Sequence, residues 1–325
     1  MECMPGRTME DCFETLTLQQ KLRTAIDMAN ILSSLLRITA PKCGSVVGVP
    51  QGYGYLQRFR FQDPSLSSIS RMYFLVDQNV DPVNIGPIND SILLDYPNQI
   101  SPQLCGPFDS ERQFMQVFAF MGQPPPRKGG KADYWVFEKV IEVYDAVKRL
   151  QRLPSKSRIS LEEGETFHFA HCDFSDSNIL INPDTGEITG MVDWEMAGFR
   201  PPWLAAVAPG LFNDDWERFL MSEHQTSRGN YKDETPADAI VRAPFRLRLA
   251  ELNDDLYRHH VQGYELRALF NACCNVTGNT EMYLSKYKDL EWSMAQRGPF
   301  PFDYMAWWLE QNKLWHEETA GRSEK

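Results

Sequence analysis

A short polar run and the turn that follows it contain the residues best suited to chemistry. The run is His171-Cys172-Asp173-Phe174-Ser175-Asp176-Ser177-Asn178, and beyond a hairpin pattern comes Val192-Asp193-Trp194-Glu195. Asp173 opens the polar loop and Asn178 closes it, while the returning strand can bring Asp193 beside Asn178. One carboxylate then stands forward, with an amide oxygen and a second carboxylate behind it. Hard oxygen donors of that kind suit Mg²⁺, which keeps several waters and binds phosphates. The forward carboxylate is left to accept a proton from a hydroxyl nucleophile, the division of labour used in phosphoryl transfer.

These groups need rigid elements around them. Residues 166–170, Thr-Phe-His-Phe-Ala, have the composition of a strand leading into the loop. Ile179–Ile181 and 188–192 flank Asn182-Pro183-Asp184-Thr185-Gly186, a hairpin turn by its Asn, Pro, Asp and Gly content. Upstream, Thr17 and Gln20 have capping-box spacing. Leu18, Leu22, Ala25, Ile26, Ala29, Leu32 and Leu36 recur at three and four, so the spacing predicts a buried helix to about Ile38. Asp109 or Ser110 is placed to cap a helix through Phe114, Val117, Phe118 and Phe120. A further helix is predicted over about 133–150, with Trp135, Val136, Val140, Val143, Tyr144 and Val147 on its apolar face. Gly, Pro, Asn, Asp and Ser punctuate residues 41–107, which read as a long irregular insertion with one or two short strands. After about residue 202 the pattern is helical, near 214–222, 236–274 and 303–315.

The fold class that results is α+β and predominantly helical, with the hairpin embedded among helices. Composition excludes some functions. The 325 residues carry 33 basic and 44 acidic side chains, a net charge of −11, which argues against nucleic acid or anionic lipid as a partner. It does not exclude ATP, since phosphate sites are built locally from backbone amides, metal and a few cations. Seven scattered cysteines without a C-x-x-C pair read as reduced thiols of a cytoplasmic protein. The most apolar late window, 203–212, is broken by Pro209 and Gly210 and is too short to span a bilayer.

The segment resembles the aminoglycoside phosphotransferase family, the small-molecule-kinase branch of the protein-kinase-like fold. The family pattern is H-x-D-x-x-x-x-N, an apolar strand, a turn, and I-D-W-E or similar. Here it reads His171, Asp173, Asn178, Ile179–Ile181 and Val192-Asp193-Trp194-Glu195. The resemblance implies a kinase-like C-terminal lobe with Asp173 as catalytic base and His171 bracing the catalytic loop. It places Asn178 and Asp193 on Mg²⁺ and the nucleotide, and a hydroxyl of a small molecule as acceptor. Cys172 stands where the family often has a small residue, and reads as a packed thiol. Gly106-Pro107-Phe108 and Ala197–Pro202 resemble fungal members, and the likeness extends from Met1 to about Pro202.

Residues 1–8, Met-Glu-Cys-Met-Pro-Gly-Arg-Thr, resemble the hinge between the two kinase lobes, with Glu2 and Met4 against the nucleotide. By that alignment residues 1–16 are a hinge-like remnant, 17–325 are the C-lobe, the N-terminal lobe is expected to be lacking, and phosphoryl transfer by this chain is expected to be impaired or absent for want of its nucleotide-binding elements. Lys21, the first lysine, reads as a solvated helix charge, and Gly44, Gly48, Gly52 and Gly54 form no G-x-G-x-x-G. Three explanations stay open. The reading frame begins too late, the chain is a non-catalytic pseudokinase-like protein binding a ligand or protein partner, or its nucleotide site has been rebuilt. The retained Asp173, Asn178 and Asp193 fit the first better than the second. Elsewhere, Tyr304, Trp307, Trp308, Leu314 and Trp315 read as core. Asp214, Asp215 and Glu217 read as a solvated helix start, and His259-His260 as surface.

Overall fold

Thr17 starts the longest helix among the described residues. Its hydroxyl accepts from the Gln20 backbone N–H at 3.4 Å while the Gln20 side chain accepts from the Thr17 N–H at 2.7 Å, so the capping box forms. The computed structural model describes residues 5–46, 84–89, 105–121, 135–151, 165–212 and 236–274. Helix predominates within them: α1 Met9–Cys12, α2 Leu18–Leu36, α3 Glu111–Met121, α4 Trp135–Gln151, α5 Pro202–Ala205, α6 Pro236–Leu252, α7 Asp254–Gln262 and α8 Tyr264–Cys274. The strands are β1 Arg7–Thr8, β2 Thr39–Ala40, β3 Gly44–Val46, β4 Ile85–Gly86, β5 Phe167–Ala170, β6 Ile179–Ile181, β7 Ile188–Met191 and β8 Gly198–Arg200. The remainder of the predicted insertion, the helices near 214–222 and 303–315, the tryptophans at 307–315, the acids at 214–217, and Glu2 and Met4 lie outside the described residues.

The buried face of α2 differs from the simple stripe. Ala25, Met28, Ala29, Ile31, Leu32, Leu35 and Leu36 are buried, but Leu18 is 49% and Ile26 38% exposed. The helix turns Thr24 and Asp27 inward because both hold the hairpin. Thr24 Oγ1 donates to the Gly186 carbonyl at 2.6 Å, and Asp27 accepts from the Ile188 N–H at 3.4 Å. Gln20 donates to the carbonyls of Pro183 and Asp184. Gly186 has φ +72°, and a Cβ there would meet the Gln20 carbonyl oxygen at 2.4 Å. Both the turn and this close approach therefore require glycine. β1 lies along the other edge of the hairpin, giving a three-stranded antiparallel sheet β1-β6-β7 with Arg7 opposite Ile181.

A second sheet of five short strands, order β2-β5-β8-β3-β4, joins residues from 39 to 200, all antiparallel. Strand β5, second in that order, lies between two apolar cores. One packs α2, the hairpin and α6; the other packs α3, α4, α8 and Trp203, and Phe169 touches both. Glu111, at the start of α3, ties the second core together. It accepts from Trp203 Nε1 at 3.0 Å, Tyr144 Oη at 3.3 Å and Lys148 Nζ at 2.7 Å.

Residues 236–274 form three helices rather than one stretch. Asn253 breaks the first and caps α7 by accepting from the Leu256 N–H at 3.2 Å. The surface reading of His259-His260 is corrected as well. His260 is buried, its Nδ1 2.9 Å from the Ala206 carbonyl oxygen, and burial pushes His259 down to about 4. The cause is tertiary, since α7 packs on both α5 and α6.

Two tests follow from this packing. Glu111→Ala strips the partner from a buried indole N–H, a buried phenol and Lys148, and is expected to cost about 3 kcal/mol or more in urea unfolding. His259 binds its proton in the unfolded chain near pH 6.5 but in the folded one only near pH 4. Its contribution to stability is therefore complete above about pH 6.5 and lost as pH falls toward 4. The carboxyls of buried Asp27 and half-buried Glu165 are raised by desolvation and slope the opposite way. The comparison is accordingly made against His259→Asn, which should lose less stability than the parent across that window in denaturation at stepped pH.

Candidate active site

β5 ends at Ala170, and the next three residues point in different directions. His171 is fully buried, Cys172 is exposed with φ +66°, and Asp173 is partly buried. The left-handed turn at Cys172 lets neighbouring side chains face inward and outward in succession. Cys172 is thus not a packed thiol: the backbone reversal that buries His171 turns its neighbour to solvent.

His171 uses both ring nitrogens. Nδ1 accepts from the Asp173 N–H at 3.3 Å, so the ring proton lies on Nε2, which donates to the Val192 carbonyl at 2.9 Å. The imidazole stacks on Phe174 with centroids 5.1 Å apart, and Trp194 lies 4.4 Å away on a tilted ring. Desolvation lowers its pKa, opposed by the Val192 bond and by Asp173 and Asp193. A buried ring with both nitrogens engaged in the backbone braces the loop and is not placed to touch a substrate. Trp194 is fixed in turn by Nε1 donating to the Met191 carbonyl at 3.0 Å and by stacking on Phe169.

Asn178 ends a single 3₁₀ turn, Asp176–Asn178, and enters β6. Its Nδ2 donates to the Asp173 carboxylate at 2.9 Å and to the Asp173 carbonyl at 3.1 Å. The amide nitrogen is committed to the loop, which leaves Oδ1 as an acceptor on the opposite side. The Val192 N–H donates to the Asn178 carbonyl at 3.0 Å, so the hairpin returns the chain with Asp193 next to that pair. Asp193 is exposed, has φ +64°, and its carboxylate makes no hydrogen bond or ion pair among the described residues. An open amide oxygen and an open carboxylate form a hard donor set suited to Mg²⁺.

Other residues of the site were not legible as such. Phe174 and Trp194 form the aromatic shell of His171, which their flanking positions in the motif hinted at. Asn89 carries no local signal, yet its Nδ2 donates to the Glu195 carbonyl at 2.7 Å and its N–H to Ser45 Oγ at 2.8 Å. The β3–β4 pairing thereby reaches the loop after Asp193.

Residues 98–207 match the model of the phosphotransferase enzyme family. Asp173, Asn178, Asp193 and the hairpin all fall inside that match, which is narrower than the likeness expected from Met1. No curated protein and no solved structure matches the chain. No described helix is long and apolar enough to cross a membrane.

His171→Phe tests the brace. The ring volume and stacking survive, but the Asp173 N–H and the Val192 carbonyl lose their partner. The variant should fold with an unfolding free energy lower by about 2 kcal/mol, measured in urea. A variant as stable as the parent would show that the two hydrogen bonds do not hold the loop.

Proposed function

We propose that the chain is an ATP-dependent phosphotransferase that acts on a hydroxyl of a small molecule. The observation that carries this reading is the bond from Asn178 Nδ2 to Asp173. It holds the forward carboxylate and, by committing the amide nitrogen to the loop, leaves the Asn178 amide oxygen available as an acceptor. The similarity of residues 98–207 to the phosphotransferase enzyme family supports it.

Asp173 takes the proton of the acceptor hydroxyl as that oxygen forms its bond to the γ-phosphorus, and the bond to the ADP oxygen breaks. Its own N–H is tied to His171 and its carboxylate to Asn178, so it cannot swing away from the attacking oxygen. Asn178 Oδ1 and the Asp193 carboxylate would hold Mg²⁺. When bound there, the metal supplies charge neutralisation for the nucleotide phosphates. Catalysis of this kind rests on positioning and electrostatics, and the hydrogen bonds from 171 to 192 supply the first.

Asp173→Asn keeps the shape of the loop and removes the base. Phosphoryl transfer to an acceptor should fall by about 10²–10⁴-fold, followed by ADP release. Retained turnover would show the base to be misassigned. Titration of the full chain with Mg-ATP should raise its melting temperature. Absence of any shift at millimolar nucleotide would overturn the catalytic reading, and stabilisation without turnover would assign a non-catalytic, ligand-binding role.

A further inference from the structure

A cavity of about 260 Å³ opens beside the catalytic loop, where the two apolar cores meet. Phe174 packs against the first core, Leu204 packs against the second and Phe270 belongs to it, and all three line the cavity. Val207 adds further apolar wall. The space persists because Ala170, Ala205 and Gly210 stand in the lining, where longer side chains would fill it. Cys172 lies in the wall as well, exposed, with Sγ donating to the Ala170 carbonyl at 3.6 Å. Cys172 and Phe174 flank Asp173, so the cavity opens against the segment that carries the candidate base.

Arg200 and Arg267 also line it, and both are buried. Arg200 donates to the carbonyls of Gly44, Phe199 and Met196, and Arg267 to those of Trp203, His259 and His260. These bonds fasten β8 to β3 and α8 to α5 and α7, so the guanidinium groups serve the frame of the cavity.

Size and lining together select the occupant. A cavity of about 150 Å³ lined by Leu, Ile and Phe is enough for one benzene molecule. About 260 Å³ therefore admits a single ring with a short substituent, and not the several linked rings of an aminoglycoside. Placing ammonium or many hydroxyl groups against Phe174, Leu204, Val207 and Phe270 would strip their water without supplying partners. A hydrocarbon body instead gains from leaving water there.

We infer that this cavity takes the body of the phosphoryl acceptor, and that the acceptor is an alcohol on an apolar, ring-sized frame. The body packs on Leu204 and Phe270, and the hydroxyl is left on the Asp173 side. Its oxygen bonds to the γ-phosphorus of ATP and its proton passes to Asp173. The bond from that phosphorus to the bridging oxygen breaks, and the electron pair leaves with ADP. The transfer step rests on the phosphotransferase reading proposed above, whereas the selection of an apolar alcohol rests on the cavity.

Cys172 reports on occupancy without nucleotide. The full chain is alkylated with iodoacetamide in the presence of 2-phenylethanol or of glycerol. Peptide mass mapping then follows Cys172 and, as internal reference, the half-buried Cys105. Saturating 2-phenylethanol should slow alkylation of Cys172 by about tenfold, with Cys105 unaffected, and glycerol should protect neither. Val207→Phe builds a ring into the same space from a half-buried position, and should reduce that protection to less than about twofold. No protection by 2-phenylethanol, equal protection by glycerol, or protection that survives Val207→Phe overturns the apolar pocket. The two alcohols are compared on the parent chain, so the test stands even where the variant does not fold. With Mg-ATP, ADP release should be faster with 2-phenylethanol than with glucosamine. Protection of Cys172 without ADP release from either acceptor defeats only the phosphotransferase reading. ADP release with glucosamine, and no protection by 2-phenylethanol, defeats only the apolar pocket.

Discussion

One neutral imidazole, shut away from water, joins the two chain segments on which the site depends. His171 donates to Val192 and accepts from Asp173, so the end of β5 and the end of β7 share a single ring. Protonation would place a donor at Nδ1 against the Asp173 N–H, and burial already lowers the pKa. The ring is thus held in one tautomer by geometry and in one charge state by desolvation. Phe174, Trp194 and Phe169 wall it in, and Trp194 is itself anchored to Met191. Asp173 and Asp193 take their places from this joint rather than from contact with each other.

The hairpin that returns the chain to that joint is clamped from outside. α2 grips its turn through Gln20, Thr24 and Asp27, and β1 extends its far edge. Asp27 illustrates how the competing terms balance. Arg23 pairs with it at 3.1 Å, yet its pKa is raised, because desolvation outweighs the pair and the Ile188 hydrogen bond. The charge therefore adds little net stability, and its value lies in fixing where the hairpin docks. The same economy recurs around Arg200, where carbonyls orient a buried charge without neutralising it.

Elements decided by nearby residues were legible in the sequence. The capping box of Thr17 and Gln20 and the turn at 182–186 each depend on contacts within a few residues, and each forms, while the strand at 167–170 shows in its own composition although its partners are distant. The polar loop from His171 to Asn178 also reads correctly as a connection between two strands. The five-stranded sheet did not show itself, because its strands are two to four residues long and draw partners from 39 to 200. Too short for a period, they exist only through pairing. The exposure of Leu18 and Ile26, the burial of His260 and the partial burial of His259 have the same origin, since partners distant in sequence chose which helix faces turn inward.

By itself, then, the sequence determined the chemical groups at the site, their order and the local turns that present them, since these follow from residue type and near-neighbour hydrogen bonding. Tertiary structure decided how those groups are held and what surrounds them. The imidazole bridge to Val192, the reach of Asn89 to Glu195 and the meeting of Arg200 with Arg267 around one cavity all join residues far apart in the chain. Such contacts are specified by the packing of whole elements against two cores, and no spacing along the chain encodes them.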